Sequence, residues 1–242
     1  MELKDLIGMD KIEEKEKYYT KKVFQRLMSI ENVEILGPFD TNSRLPIFSI
    51  KIKHMDKYLH PKFAAKLIND LFGIQTRAGC ACAAPYGHRL LDISEETSNI
   101  FRYFIKKGFI SIKPGWIRFN IHYIMSEDEV DFICDAIKFI AENGYLFLNE
   151  YILDMKTGSW SHKSYNKPFS VVENFGAKES LKFVGNNNTK AVKEIHSDSI
   201  EEYKKYLNVA KNYAAKLKEA DINFKSFDEN EYPSWFYYVN SK

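Results

Sequence analysis

Two short segments of alternating residues constrain the fold of this chain more than any other feature. In residues 46–53 and again in residues 115–123, apolar side chains alternate with polar ones: Phe48, Ile50 and Ile52 in the first, and Ile117, Phe119, Ile121 and Tyr123 in the second. Successive side chains of a strand point to opposite faces, so each segment predicts a strand with one apolar and one polar face. Such strands belong to a sheet that is covered on one face only.

Helical patterns surround these two segments. Residues 10–30 repeat apolar side chains at helical intervals, and residues 94–107 predict a second helix whose acidic start suits a helix N-terminus. Pro61 stands where proline begins a helix, and Ser126 with Glu129 forms a capping box before a further apolar stripe. The order of these elements predicts an α+β fold, with a small, mainly antiparallel sheet covered by helices on one side.

Chemically reactive residues are concentrated in the segment between Arg77 and Arg89. It holds the thiols of Cys80 and Cys82, the imidazole of His88 and two glycines, which favour an irregular loop. A thiol near a guanidinium has its thiolate form favoured, so Arg77 and Cys82 are candidates for one site. The two cysteines are closer together than structural zinc ligands usually are, and no metal site is predicted.

A second set of candidates lies on the polar face of the segment 115–123. Alternation places Arg118, Asn120 and His122 together on this face, opposite the apolar one. A planar guanidinium can bind a carboxylate through two parallel hydrogen bonds, so Arg118 is a candidate for binding an acidic group. His122 shares this face and is a further substrate-binding candidate.

Both sets of residues resemble one protein family. Residues 73–85 resemble the active-site cysteine loop in the small domain of class V aminotransferases, and of the cysteine desulfurases and selenocysteine lyases among them. The resemblance implies that Cys82 accepts sulfur from a substrate cysteine and that Arg77 lies at the active-site wall. Residues 115–131 are similar to the family's next strand and helix, which implies that Arg118 binds the α-carboxylate of a small amino-acid substrate.

The resemblance also implies a domain organisation. Residues 1–30 correspond to a linker helix, and residues 31–151 to the small domain of a fold-type I transferase that depends on pyridoxal phosphate. Residues 152–242 are expected to form a mixed helical C-terminal extension that packs on this domain.

The cofactor of the family is pyridoxal phosphate, which needs a lysine for its Schiff base. In the family a preceding large domain supplies that lysine, so we expect the lysine not to be in this chain and predict no cofactor-binding residue here. The pattern Ser161, His162, Lys163 is interpreted as a solvated loop. The alternative function is that of a truncated, catalytically inactive homologue that acts as an interaction module.

Composition excludes several other classes of protein. The 35 basic and 33 acidic residues leave a net charge of +2, which argues against a nucleic-acid partner. Three cysteines do not form a disulfide framework, and no apolar run is long enough to span a membrane, so a cytoplasmic location is expected. A sheet face without its large domain would stay exposed, which predicts a homodimer or docking to a separate domain that binds pyridoxal phosphate.

Overall fold

The computed structural model describes residues 2–79, 84–164, 189–225 and 235–242. The helices are α1 Glu2–Ile7, α2 Met9–Met28, α3 Pro61–Phe72, α4 Ala84–Leu90, α5 Glu95–Lys106, α6 Glu127–Asn143 and α7 Thr189–Leu217, with 3-10 turns at Ile110–Ile112 and Gly144–Glu150. The strands are β1 Val33–Ile35, β2 Ile47–His54, β3 Lys57–Tyr58, β4 Arg77–Gly79, β5 Trp116–Asn120, β6 Tyr151–Asp154, β7 Ser159–His162 and β8 Asn240–Ser241. The fold is α+β, as the sequence predicts.

The main sheet has the strand order β1-β2-β5-β4, with the short β3 paired to β2, and all these pairings are antiparallel. Its register sets Phe48 opposite Phe119, whose rings stack at 5.3 Å between centroids, and Ile50 opposite Ile117. These side chains are almost fully buried in the core that the sheet shares with α2, α3 and α6. The predicted apolar face is therefore the covered face of the sheet.

The covering helices begin and end where local chemistry dictates. His60 caps α3 by accepting a hydrogen bond from the Lys62 amide, and Gly73 ends this helix in the left-handed conformation that glycine favours. The predicted capping box of α6 is present. The Glu129 amide donates a hydrogen bond to the Ser126 hydroxyl oxygen, and the Ser126 amide donates one to the Glu129 carboxylate.

Two local predictions are wrong. The segment that follows Arg77 is predicted as an irregular loop, but Ala78 and Gly79 continue the strand that pairs with β5. Ala84–Leu90 is helical, since proline is tolerated in the first turn of a helix. The solvated loop predicted around His162 is instead the end of strand β7, which pairs with β6. There the Nδ1 atom of His162 accepts a hydrogen bond from the Ser164 amide.

The C-terminal residues contact the rest of the chain at several points. Asn240–Ser241 pairs in parallel with β6, and Phe236 is fully buried against His60 at 4.7 Å between ring centroids. Helix α7 packs on α3 and α6, where Ala210 and Ala214 are buried. No helix in the described ranges is long and apolar enough to cross a bilayer.

Candidate functional site

Two arginines stand opposite each other on the face of the main sheet that carries its polar side chains. The register pairs Arg77 of β4 with Arg118 of β5, and Ser49 of β2 stands on the other side of Arg118. Opposite residues of an antiparallel pair have close Cβ atoms, and like charges in this arrangement repel each other. Within the described part of the chain, neither guanidinium forms a hydrogen bond or an ion pair. The strand pairing thus brings two positive charges together, and no described residue forms an ion pair with either of them.

The two arginines line an open cleft of about 600 Å³. The cleft also receives polar side chains from the α3–β4 connection and from the end of β5. Its lining residues are Glu16, Leu45, Pro46, Ile47, Gln75, Thr76, Arg77, Arg118, Phe119, Asn120, Ile121 and His122. Three of the four residues predicted for the site, Arg77, Arg118 and His122, therefore border one cleft.

The ring of His122 is oriented by its own turn. Its Nδ1 accepts a hydrogen bond from the Ile124 amide at 3.3 Å, and the ring lies against Tyr123 at 4.3 Å between centroids. Because Nδ1 is the acceptor, this network assigns the proton of the neutral ring to Nε2. His122 is exposed, so Nε2 can donate a hydrogen bond to an acceptor in the cleft.

The fourth predicted residue, Cys82, and its neighbour Cys80 lie outside the described residues. The chain approaches them through β4, which ends at Gly79. The φ angle of Gly79 is 117°, a conformation that residues with a side chain rarely adopt.

Gln75, Thr76 and Glu16 are polar cleft residues that were not predicted as site residues. Gln75 and Thr76 precede Arg77, and the Oγ1 atom of Thr76 is buried with no hydrogen-bond partner among the described residues. Glu16 comes from α2, and its carboxylate adds one negative charge to a cleft dominated by two arginines. The helical pattern of residues 10–30 carries no signal that Glu16 would reach this sheet.

A third arginine extends the positive charge beyond the cleft. Arg44 and Arg118 both border a neighbouring depression of about 340 Å³. The Arg44 side chain donates to the carbonyl oxygens of Pro38 and Ile47 and lies over the ring of Phe48. Burial lowers the pKa of Arg44 below its usual value, but arginine stays charged at neutral pH. Arg44 is thus fixed by the backbone, whereas Arg118 remains available for a ligand.

The described residues contain no group of three or more histidine, cysteine, aspartate or glutamate side chains that could hold a metal ion. The site is therefore best described by its cations and hydrogen-bond donors. Its residues can hold a small anion such as a carboxylate, because guanidinium groups match the two oxygens of that group.

Comparison with known proteins gives one family. The model of the aminotransferase class-V family matches residues 1–133. Among solved structures, the apo cysteine desulfurase from Thermococcus onnurineus NA1 is similar at 21% sequence identity with a TM-score of 0.40. That match covers 57% of this chain and 28% of the desulfurase chain. No curated protein sequence matches the chain.

Proposed function

The chain belongs to the class V aminotransferase family, whose model matches more than half of its residues, and on this premise we propose that it forms the substrate-binding wall of an active site of that family. In this proposal Arg118 and Arg77 hold the carboxylate of a small amino acid. His122 donates a further hydrogen bond to the same ligand.

The proposal depends mainly on one observation, the pairing of Arg77 with Arg118, neither of which has an ion-pair partner among the described residues. Cross-strand like charges destabilise a sheet, so such a pair is expected where an anion binds and offsets the repulsion. A carboxylate between the two guanidinium groups accepts several charge-assisted hydrogen bonds, which are stronger than those between neutral groups.

The family depends in general on pyridoxal phosphate, but the cleft residues do not fit this cofactor. A Schiff base needs a lysine, and the described residues that line the cleft include none. We therefore propose that the cofactor lysine belongs to a domain outside residues 1–242, and that this chain acts on the substrate by binding and orienting its carboxylate. Cys82 remains the predicted sulfur acceptor.

Apolar side chains near the cleft favour docking of that further domain. Leu45 and Ile47 line the cleft and are 66% and 42% exposed, and Ile124, two residues after His122, is 72% exposed. Exposed apolar residues grouped beside a polar cleft are typical of a contact surface. A homodimer is the alternative occupant of this surface, and in that case the chain acts as an interaction module.

Carboxylate binding can be tested by calorimetric titration of the full chain with L-cysteine under reducing conditions. The matched control ligand is L-cysteine methyl ester, which lacks the carboxylate charge. We expect the amino acid to bind and the ester not to bind. Arg118→Met should weaken binding at least about tenfold, since hydrogen bonds to charged groups contribute about 1.5–3 kcal/mol each.

Lys53→Met is the matched control variant, because Lys53 is an exposed cation of β2 that does not line the cleft. It should bind L-cysteine as the wild-type chain does. Equal binding of acid and ester, or unchanged binding by Arg118→Met, would contradict the proposal.

The proposal that the cofactor lysine lies outside residues 1–242 can be tested separately. The purified chain is incubated with pyridoxal phosphate, reduced with borohydride and analysed by peptide mass spectrometry. We expect no lysine to be modified selectively. A single, stoichiometrically reduced lysine would show that the chain holds the cofactor itself.

A further inference from the structure

A second cavity lies between the main sheet and α5, apart from the arginine cleft. It has a volume of about 210 Å³ and is enclosed by β2, β5, α5, the α4–α5 connection and the C-terminal segment. Its lining residues are Ile50, Lys51, Ile52, Tyr58, Leu59, Pro61, Leu91, Asp92, Ile93, Thr97, Phe101, Pro114, Gly115, Trp116, Ile117 and Trp235. Neither Arg77 nor Arg118 borders it.

The aromatic rings of Tyr58, Phe101, Trp116 and Trp235 line this cavity together with aliphatic side chains. Trp116 and Phe101 are only 5% and 7% exposed, yet within the described ranges neither ring contacts another aromatic ring. Trp235 is held in place because its Nε1 donates to the Ile112 carbonyl oxygen at 2.7 Å. Tyr58 is held by hydrogen bonds between its hydroxyl group and the Glu34 carboxylate. The walls are thus preorganised, and the space between them suits a further ring.

The charges on the cavity wall favour a cationic ligand. Lys51 and Asp92 are its only charged lining residues among those described. Lys51 is already compensated, since its Nζ lies 2.5 Å from a Glu34 oxygen and 4.2 Å from the Tyr58 ring centroid. Burial opposes the charge of Lys51, but these partners raise its pKa overall, so it stays protonated. Asp92 has no such partner in the described part of the chain.

The backbone conformation of Asp92 is also unusual. It follows α4 with a φ angle of 51°, in the left-handed region where a glycine is usual after a helix. Because Asp92 is exposed, it lies where the cavity meets solvent. An exposed, uncompensated carboxylate at the mouth of an aromatic cavity attracts a protonated amine.

We propose that this cavity binds a small aromatic amine, with its ring between Trp116, Phe101 and Trp235 and its ammonium group at Asp92. The size is suitable, because a cavity of about 150 Å³ accepts benzene and the larger volume here leaves room for a short chain of carbon atoms. The site does not depend on the proposed carboxylate-binding function.

The two tryptophans in the wall report binding directly. The full chain is titrated with phenethylamine, 2-phenylethanol and 3-phenylpropionate while tryptophan fluorescence is followed. We expect phenethylamine to bind most tightly and 3-phenylpropionate most weakly. Titration of 3-phenylpropionate is repeated in Arg118→Met, so that binding of the acid in the arginine cleft is separated from binding here.

Two variants test the assigned positions. Asp92→Asn keeps a residue that tolerates the left-handed conformation, and it should weaken phenethylamine binding about fivefold while leaving 2-phenylethanol unchanged. Asp10→Asn, an exposed acid at the start of α2, is the control and should change neither. Ile93→Phe fills the cavity and should abolish binding of all three ligands.

The absence of a saturable fluorescence change in the folded wild-type chain would overturn the proposal. Equal affinities for the three ligands, or an equal effect of Asp92→Asn on all of them, would overturn the assignment of an amine. Thermal melting of each variant shows whether it is folded, and Asp92→Asn decides the matter if Ile93→Phe does not fold.

Discussion

Replacing Arg118 with methionine should stabilise the fold while removing carboxylate binding. The substitution keeps an unbranched apolar stem on β5 and removes one of two cations that face each other. Two unit charges about 5 to 10 Å apart in water repel each other by roughly 0.8 to 0.4 kcal/mol. This agrees with the range of about 0.2–1 kcal/mol for cross-strand pairs. We therefore expect the free energy of unfolding to rise by about 0.5 kcal/mol.

Urea denaturation at low ionic strength measures this change. With a slope of about 3 kcal/mol per molar urea, the midpoint of Arg118→Met should lie roughly 0.1 to 0.3 M above that of the wild-type chain. Salt screens the repulsion, since the Debye length falls from about 30 Å at 0.01 M to about 3 Å at 1 M. The difference between the two midpoints should therefore shrink as salt is added.

Lys53→Met separates this effect from a general loss of positive charge. Lys53 attracts the Glu34 carboxylate and contributes to the lowered pKa of that group, so its removal should not raise the midpoint. An unchanged or lower midpoint for Arg118→Met at low salt would refute the reasoning. A difference that does not respond to salt would show that the gain is not electrostatic.

Three further predictions concern stability and reactivity. Burial lowers the pKa of His60 to about 3, so the unfolded state binds more protons below about pH 6.5, and stability should fall by about 1.4 kcal/mol per pH unit as the pH decreases towards 3. Urea titrations at pH 7, 6 and 5 measure this slope, which His60→Asn should remove while keeping a side chain that can cap α3. Burial raises the pKa of Cys134 to about 11, so iodoacetamide at pH 8 should label it only after unfolding, as read by peptide mass spectrometry. Ser126→Ala removes the cap of α6 and should lower the free energy of unfolding by about 1 kcal/mol in urea titrations.

Each of these three predictions has a specific result that would contradict it. The same pH slope in wild-type and His60→Asn chains would show that another group causes it. Rapid labelling of Cys134 in the native chain would show that α6 opens readily. A midpoint unchanged by Ser126→Ala would mean that other contacts hold the start of α6.

The buried face of the sheet was predictable because it follows from the alternation of apolar and polar residues within short segments. Alternation in residues 46–53 and 115–123 identifies the side chains that the structure buries on the covered face of β2 and β5, whereas Trp116 is buried on the other face. The capping box at Ser126 was predictable for the same reason, since its two partners are three residues apart. Each of these signals lies within one element of the chain.

Long-range pairing was not predictable from such signals. Alternation places Arg118 on the polar face, but nothing in the sequence sets it opposite Arg77, because that requires β4 to form and to pair with β5 in one register. The aromatic cavity was even less predictable from the sequence, since Trp116 and Trp235 come together only because the C-terminal segment packs back onto the sheet. Both sites therefore depend on tertiary contacts between distant segments.

The two candidate sites share a physical feature: in each of them, a local preference of the residues conflicts with the arrangement that the fold imposes. On the covered face, local preference and packing agree, as the stacked Phe48 and Phe119 show. In the two candidate sites, Arg77 and Arg118 repel each other and Asp92 adopts a conformation that favours glycine. Departures of this kind persist where the rest of the fold is stable enough to hold them and where a ligand offsets them. A ligand for either site should therefore stabilise the chain on binding, since it binds the folded state alone.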